Sequence, residues 1–186
     1  GDIYGAKGYA VIGVDSLRYF WGKRGVDEVA ADLKDIIRYY GQHWHIEQVA
    51  LVGYSFGADV LPFAYNRLSA ELQDRVVLLS LLAPQRAADF EVHVGGWWGA
   101  GPTEEALPIV PELNKIPVSK LQCVYGSEES EESLCTLPEL ANVERIAIPG
   151  GHHFDEDYAK LSRLIEARFV ATLSAMPMRQ ERAAPH

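Results

Sequence analysis

Continuous apolar runs alternate along this chain with segments whose apolar residues recur every three or four positions. Tyr9-Ala10-Val11-Ile12-Gly13-Val14 is short, apolar and rich in β-branched residues, which predicts a buried strand. Val26, Val29, Ala30, Leu33, Ile36, Ile37 and Tyr40 then fall on one helical face, with Asp27, Glu28, Asp32, Lys34 and Asp35 on the other. Residues 48–53, 75–82, 119–125 and 142–148 read as four further buried strands. Helices are predicted over 56–68, where Pro62 should strain or kink the backbone, and over 157–173. The last helix carries Leu161, Leu164, Ile165 and Phe169 on one face. Asp155, Glu156 and Asp157 lie near its start, where the helix dipole favours negative charge.

Buried strands alternating with helices indicate an α/β fold, a mostly parallel sheet with helices on both faces. The stretch 85–117 breaks the rhythm. It holds Gly95-Gly96-Trp97-Trp98-Gly99, several prolines and Glu104-Glu105. It reads as an excursion over the carboxyl edge of the sheet, where ligands bind in such folds. Residues 1–175 make one domain, and the tail 176–186 has no periodicity and reads as disordered.

Chemistry enters at Gly53-Tyr54-Ser55-Phe56-Gly57, a G-x-S-x-G pattern placed after a strand and before a helix. A turn this tight admits only small residues at its flanks, here Gly53 and Gly57. It lifts the Ser55 hydroxyl clear of the sheet, and the helix N-terminus aims the Phe56 N–H at a developing oxyanion. Ser55 is the candidate nucleophile of an α/β-hydrolase core.

In that fold the partners follow in the order nucleophile, acid, histidine. Pro149-Gly150-Gly151-His152-His153-Phe154 lies between the last strand and the last helix, the place for the base. The habit of placing histidine just before an aromatic favours His153 over His152. The acid belongs after the penultimate strand, in Gly126-Ser127-Glu128-Glu129. Glu129 holds the expected position and Glu128 is the alternative, since a glutamate can orient an imidazole as aspartate does. His43 and His45 read as the end of a surface helix.

The bulk properties narrow the setting. The chain has 186 residues and a formal net charge of −9. An acidic chain repels phosphate backbones, so direct nucleic-acid binding is a poor expectation, and cationic substrates are electrostatically easier. No apolar run reaches the roughly 20 residues a spanning helix needs. Gly1-Asp2 is not a translation start, which points to a segment upstream. Cys123 and Cys135, at the two ends of a Glu- and Ser-rich loop, are either a disulfide or two free thiols. No metal or cofactor is called for.

Taken together, Asp15-Ser16-Leu17-Arg18-Tyr19-Phe20-Trp21, the turn from Gly53 on to Asp59-Val60-Leu61-Pro62, Phe90-Glu91-Val92-His93, Gly96-Trp97, Cys123-Val124-Tyr125-Gly126, Cys135 and Pro149-Gly150-Gly151-His152-His153-Phe154-Asp155 resemble the VirJ/AcvB virulence-protein family of α/β-hydrolases. The resemblance runs over about 9–169. It implies a periplasmic protein that releases the amino acid from aminoacyl-phosphatidylglycerol, with peripheral membrane contact. For the VirJ branch it implies association with type IV secretion. A periplasmic setting raises the expectation of a Cys123–Cys135 bridge. Within this reading Asp59 either binds a substrate ammonium or makes a structural hydrogen bond to a neighbouring loop. Tyr54, Tyr19, Trp21, Trp97 and Trp98 are candidates for the mouth of the site. The family also has an earlier strand ending in a Ser-Gly-Asp-Gly-Gly-like loop that supplies a second oxyanion donor. Gly1-Asp2 is no substitute for it, and loss of such a donor typically costs about 10²–10³ in rate. The rival readings are a non-catalytic binding factor of a secretion system on a hydrolase scaffold, and a general small-ester hydrolase.

Overall fold

A computed structural model of the chain describes residues 2–91 and 103–176. In chain order the elements are α1 (Asp2–Gly5), α2 (Ser16–Tyr19), α3 (Val26–His43), β1 (Val49–Tyr54), α4 (Phe56–Asn66), α5 (Ala70–Arg75), β2 (Val76–Leu82), β3 (Ala87–Ala88), β4 (Leu107–Pro108), α6 (Val110–Leu113), β5 (Leu121–Gly126), β6 (Glu144–Ile148) and α7 (Tyr158–Ala175). Strands β1, β2, β5 and β6 form a parallel sheet in the order β1-β2-β5-β6. The short pair β3 and β4 is antiparallel and closes the base of the excursion.

Strand β2 lies inside the sheet, and all seven of its residues are buried. That explains its unbroken apolar run: side chains on both faces meet protein. Leu79 and Leu81 join Leu51, Leu121 and Cys123 in one core cluster with Val29, Ala30 and Ile37 of α3 and Val60, Phe63 and Ala64 of α4. Leu78 and Leu82 join Val124 and Ile148 in a second, with Phe154 and with Leu161 and Ile165 of α7. Each fully buried leucine contributes roughly 1.5–3 kcal/mol of transfer free energy. A polar chain crosses the sheet between strands, from the buried Ser80 and Gln122 out to the exposed Glu144. Ser80 Oγ–H donates to Gln122 Oε1 at 2.9 Å, and Gln122 Nε2 donates to Glu144 Oε2 at 3.1 Å. Helix α4 continues through Pro62, which is buried within it.

The segment 9–14 is not a strand. Val11, Ile12 and Val14 are exposed, and strand β1 forms the edge of the sheet. An apolar run becomes a strand only where a neighbour takes its backbone groups, and among the described residues no strand pairs with this one. Among the described residues, no helix is long and apolar enough to cross a membrane.

Candidate active site

Ser55 sits at the hinge between β1 and α4 with φ 52° and ψ −123°, a strained conformation for a side chain of this kind. Three backbone bonds hold it there. Its N–H donates to the Leu82 carbonyl at 2.8 Å, and its own carbonyl accepts from Ala58 N–H (2.8 Å) and Asp59 N–H (3.1 Å). The two flanking glycines are not equivalent. A Cβ on Gly53 would lie 2.5 Å from the Gly57 carbonyl oxygen and 2.6 Å from Ala58 Cα, so only glycine fits. A Cβ on Gly57 would meet nothing within 4 Å among the described residues. The expectation that both flanks must be small therefore holds for Gly53 alone. Phe56 opens α4, and its N–H stands outside the helical ladder, free of an i−4 partner.

The hydroxyl of Ser55 donates to His152 Nε2 at 2.8 Å. His152 Nδ1–H donates to Glu129 Oε2 at 3.2 Å. Serine, imidazole and carboxylate thus form one hydrogen-bonded relay, brought together from the carboxyl ends of β1, β5 and β6. The histidine that reaches Ser55 is His152, not His153. The reason lies in the next turn. Phe154, Asp155 and Glu156 all have positive φ (55°, 48° and 59°), and Phe154 is fully buried in the core beneath α7. Burying Phe154 sends the exposed His153 to the outer side, where its Nδ1 lies 2.9 Å from the Tyr54 hydroxyl. The same hydroxyl donates to the His152 carbonyl oxygen at 3.2 Å. Desolvation, with Tyr158 and Glu129 nearby, pushes the Tyr54 phenol up to about 12, so it remains a neutral donor.

Glu129 closes a 3-10 turn, Ser127–Glu129, that continues directly from β5. Two contacts fasten this acid loop. Glu128 N–H donates to the Gly150 carbonyl at 3.1 Å, which locks the loop to the histidine loop. Gly126 permits this approach, because a Cβ there would stand 2.6 Å from the Gly150 carbonyl oxygen. A disulfide joins Cys123 in β5 to Cys135 beyond the loop, and both cysteines are buried. Glu128 itself is exposed.

The other residues singled out in the sequence are spread more widely. Asp59 is 4% exposed and accepts the Gln85 backbone N–H at 2.7 Å. This is the structural hydrogen bond to a neighbouring loop; so deep a carboxylate does not face solvent as an ammonium site. Burial raises its pKa to about 8, the Gln85 bond opposes that rise, and the charge of Asp89 adds to it. Tyr19 is not directed into the relay: its hydroxyl donates to Asp32, and Arg24 lies over its ring at 4.8 Å. Burial and Asp32 both raise its pKa. Trp21 is 69% exposed. His93, Trp97 and Trp98 lie outside the described residues, as does the tail from 177. The Tyr54 clamp has one local signal in the sequence, a tyrosine adjoining the nucleophile position. Among the described residues, no group of three or more His, Cys, Asp or Glu side chains could hold a metal ion.

Several solved structures with a similar fold are hydrolases. An α/β-hydrolase from Vibrio vulnificus is 17% identical, with a TM-score of 0.52 over 80% of this chain and 57% of that one. The present chain thus spans little more than half of the Vibrio protein. Naproxen esterase (carboxylesterase NP) from Bacillus subtilis is 15% identical, with a TM-score of 0.51 over 80% of this chain and 67% of that one. A meta-cleavage product hydrolase from Pseudomonas fluorescens is 14% identical, with a TM-score of 0.50 over 76% and 72%. At such identities the likeness is one of fold. No curated protein matches the chain. The sequence profile of the bacterial virulence protein family VirJ matches residues 1–172, and the chain belongs to that family.

Proposed function

We propose that this protein is a serine hydrolase of carboxylic esters whose substrate is an aminoacylated phospholipid, the aminoacyl ester of phosphatidylglycerol. One observation carries the reading: the unbroken relay from Ser55 through His152 to Glu129. A binding scaffold has no need of such a relay, whereas a serine becomes a nucleophile only when a base takes its proton.

In the proposed reaction His152 Nε2 accepts the Ser55 proton as Oγ attacks the ester carbonyl. Glu129 holds the imidazole in the tautomer that leaves Nε2 free, and stabilises the imidazolium. The Phe56 N–H donates to the oxyanion. The tetrahedral adduct collapses, and His152 returns the proton to the departing glycerol oxygen. Water, deprotonated by His152, then attacks the aminoacyl-Ser55 ester, and His152 returns that proton to Ser55 Oγ as the amino acid leaves.

The substrate class rests on the family resemblance, and the charge around the relay supports it. Glu128, Glu131, Glu132, Asp155, Glu156 and Asp157 are exposed on the acid and histidine loops. Such a rim favours a cationic aminoacyl group such as lysyl. The Cys123–Cys135 disulfide supports an oxidising compartment, the periplasm. The test is release of free lysine from vesicles containing lysyl-phosphatidylglycerol, run beside a panel of short acyl esters. Release by the wild type and none by Ser55→Ala is the expected result. Turnover of the short esters with no release of lysine would leave a hydrolase of different substrate, and equal release by Ser55→Ala would overturn the assignment.

A further inference from the structure

Four consecutive residues at the exit of β2 hold the proposed catalytic groups in register. The Leu82 carbonyl accepts the Ser55 N–H at 2.8 Å. Ala83, at φ 48°, donates its N–H to the Val124 carbonyl of β5 at 2.8 Å. The Pro84 carbonyl accepts from Leu134 N–H, next to the disulfide, at 3.3 Å. Gln85 N–H is taken by Asp59 at 2.7 Å. Residues 82–85 therefore touch the nucleophile turn, the acid strand and the far end of the acid loop. Of these four grips, only the one from Asp59 uses a side chain.

Asp59 is also an odd residue for its place. It is a carboxyl group buried one helical turn past Ser55, with no cation beside it among the described residues. Its neighbour in charge is Asp89, whose own carboxylate accepts the Thr103 N–H at 3.2 Å and the Thr103 hydroxyl. Among the described residues, no charged group from α3, β1, β2 or α6 acts on it. A leucine would satisfy burial at lower cost, so the carboxyl must be worth its desolvation. What it gains is the Gln85 N–H, which otherwise has no partner in the turn.

We propose that Asp59 is a positioning residue: by gripping Gln85 it locks residues 82–85 against α4 and so sets the distance from Ser55 to the His152–Glu129 pair. It acts through the backbone and touches no substrate. The inference rests on the hydrolase reading above. Burial and the charge of Asp89 together outweigh the Gln85 bond, which by itself favours the ionised form, so the carboxyl that holds Gln85 is neutral up to about pH 8. Above about pH 8 the buried carboxylate ionises opposite Asp89, and desolvation and that repulsion pull it away from Gln85 against the bond.

The experiment measures the rate at which a fluorophosphonate probe labels Ser55, between pH 6 and 9.5, in the wild type, Asp59→Asn and Asp59→Ala. Asparagine keeps an acceptor oxygen and cannot ionise; alanine removes the grip. Misplacement of a reacting group by about 1 Å can cost about 10²-fold, so Asp59→Ala is expected to label 10- to 100-fold slower, roughly, and Asp59→Asn within about threefold of wild type at pH 7. Above pH 8 the wild type slows relative to Asp59→Asn. A merely structural role would lower thermal stability without separating these two pH profiles. If Asp59→Ala fails to fold, the profile of Asp59→Asn still decides. Superimposable profiles in wild type and Asp59→Asn, on a labelled Ser55, overturn the proposal and leave the hydrolase reading intact. No label on wild-type Ser55 overturns both.

Discussion

His152 Nε2 stands 2.8 Å from Ser55 Oγ, while the adjacent His153 is turned outward onto Tyr54. Two neighbouring imidazoles thus have separable tasks. His152→Ala should reduce ester hydrolysis by roughly 10³-fold or more, and His153→Ala by less than about tenfold. Steady-state rates on one ester substrate check this. Equal losses in the two variants would show that the histidine loop exchanges its residues in solution.

Tyr54 fastens that loop through the His152 carbonyl oxygen and His153 Nδ1. Tyr54→Phe keeps the ring and removes both bonds. A hydrogen bond of this kind is worth about 0.5–1.5 kcal/mol, so kcat should fall by roughly two- to tenfold. Melting temperature should hardly move, because the site is exposed. A large loss of stability with unchanged kcat would contradict the role.

The unequal glycines of the nucleophile turn give a steric test. Gly53→Ala drives a methyl into the Gly57 carbonyl and Ala58. Overpacking of this sort costs about 1–3 kcal/mol, and it acts directly on the conformation of Ser55. Gly57→Ala places its methyl in open space and should be tolerated in both denaturant unfolding and activity. Similar effects at the two positions would mean that the turn has a different shape.

Removing the Cys123–Cys135 bridge with a double serine substitution frees the loop that carries Glu129. The loop-entropy relation gives about 3 kcal/mol for a loop of this size. For a chain of this length that corresponds to a melting temperature lower by about 6–12 °C. Activity should decline below the global transition, since the acid loop loosens first. Coincident loss of activity and fold would count against that order.

Asp59 imposes a pH dependence on stability. Its folded pKa of about 8 lies above the unfolded value of 3.8, chiefly through burial. The native state therefore holds a proton that the unfolded chain has released. Its contribution is fully present below pH 3.8 and is lost as pH rises through 8. Urea unfolding should show this decline between pH 5 and 8 in the wild type, and a flatter profile in Asp59→Asn. The reverse slope difference would place the ionised form in the native state.

Some of this was open to reading in the sequence and some was not. Strands β2 and β5 and helices α3, α4 and α7 are written in apolar runs and periodicity, because each is buried on the faces its pattern marks. Strands β1 and β6, read as buried too, are the edges of the four-stranded sheet and leave Val52, Glu144, Arg145 and Ala147 exposed. Ser55 is legible for a similar reason: its turn, its strand and its helix are all local. Glu129 follows from its spacing after Gly126. The run at 9–14 has the composition of a strand, but pairing depends on a neighbour that composition cannot supply. The choice of His152 turns on three consecutive residues at positive φ and on the burial of Phe154. Neither is encoded in a motif two residues long. Asp59 finds its partner in the backbone of Gln85, 26 positions away, and a backbone N–H leaves no trace in residue type.

The central claim is that His152 and Glu129 activate Ser55, and covalent labelling tests it most directly. Wild-type protein exposed to a fluorophosphonate should gain the mass of one phosphonyl group, located on Ser55 by peptide mapping. Ser55→Ala should gain none, and His152→Ala should be labelled far more slowly. An adduct that persists in Ser55→Ala, or wild-type and His152→Ala proteins that label at the same rate, would contradict the account.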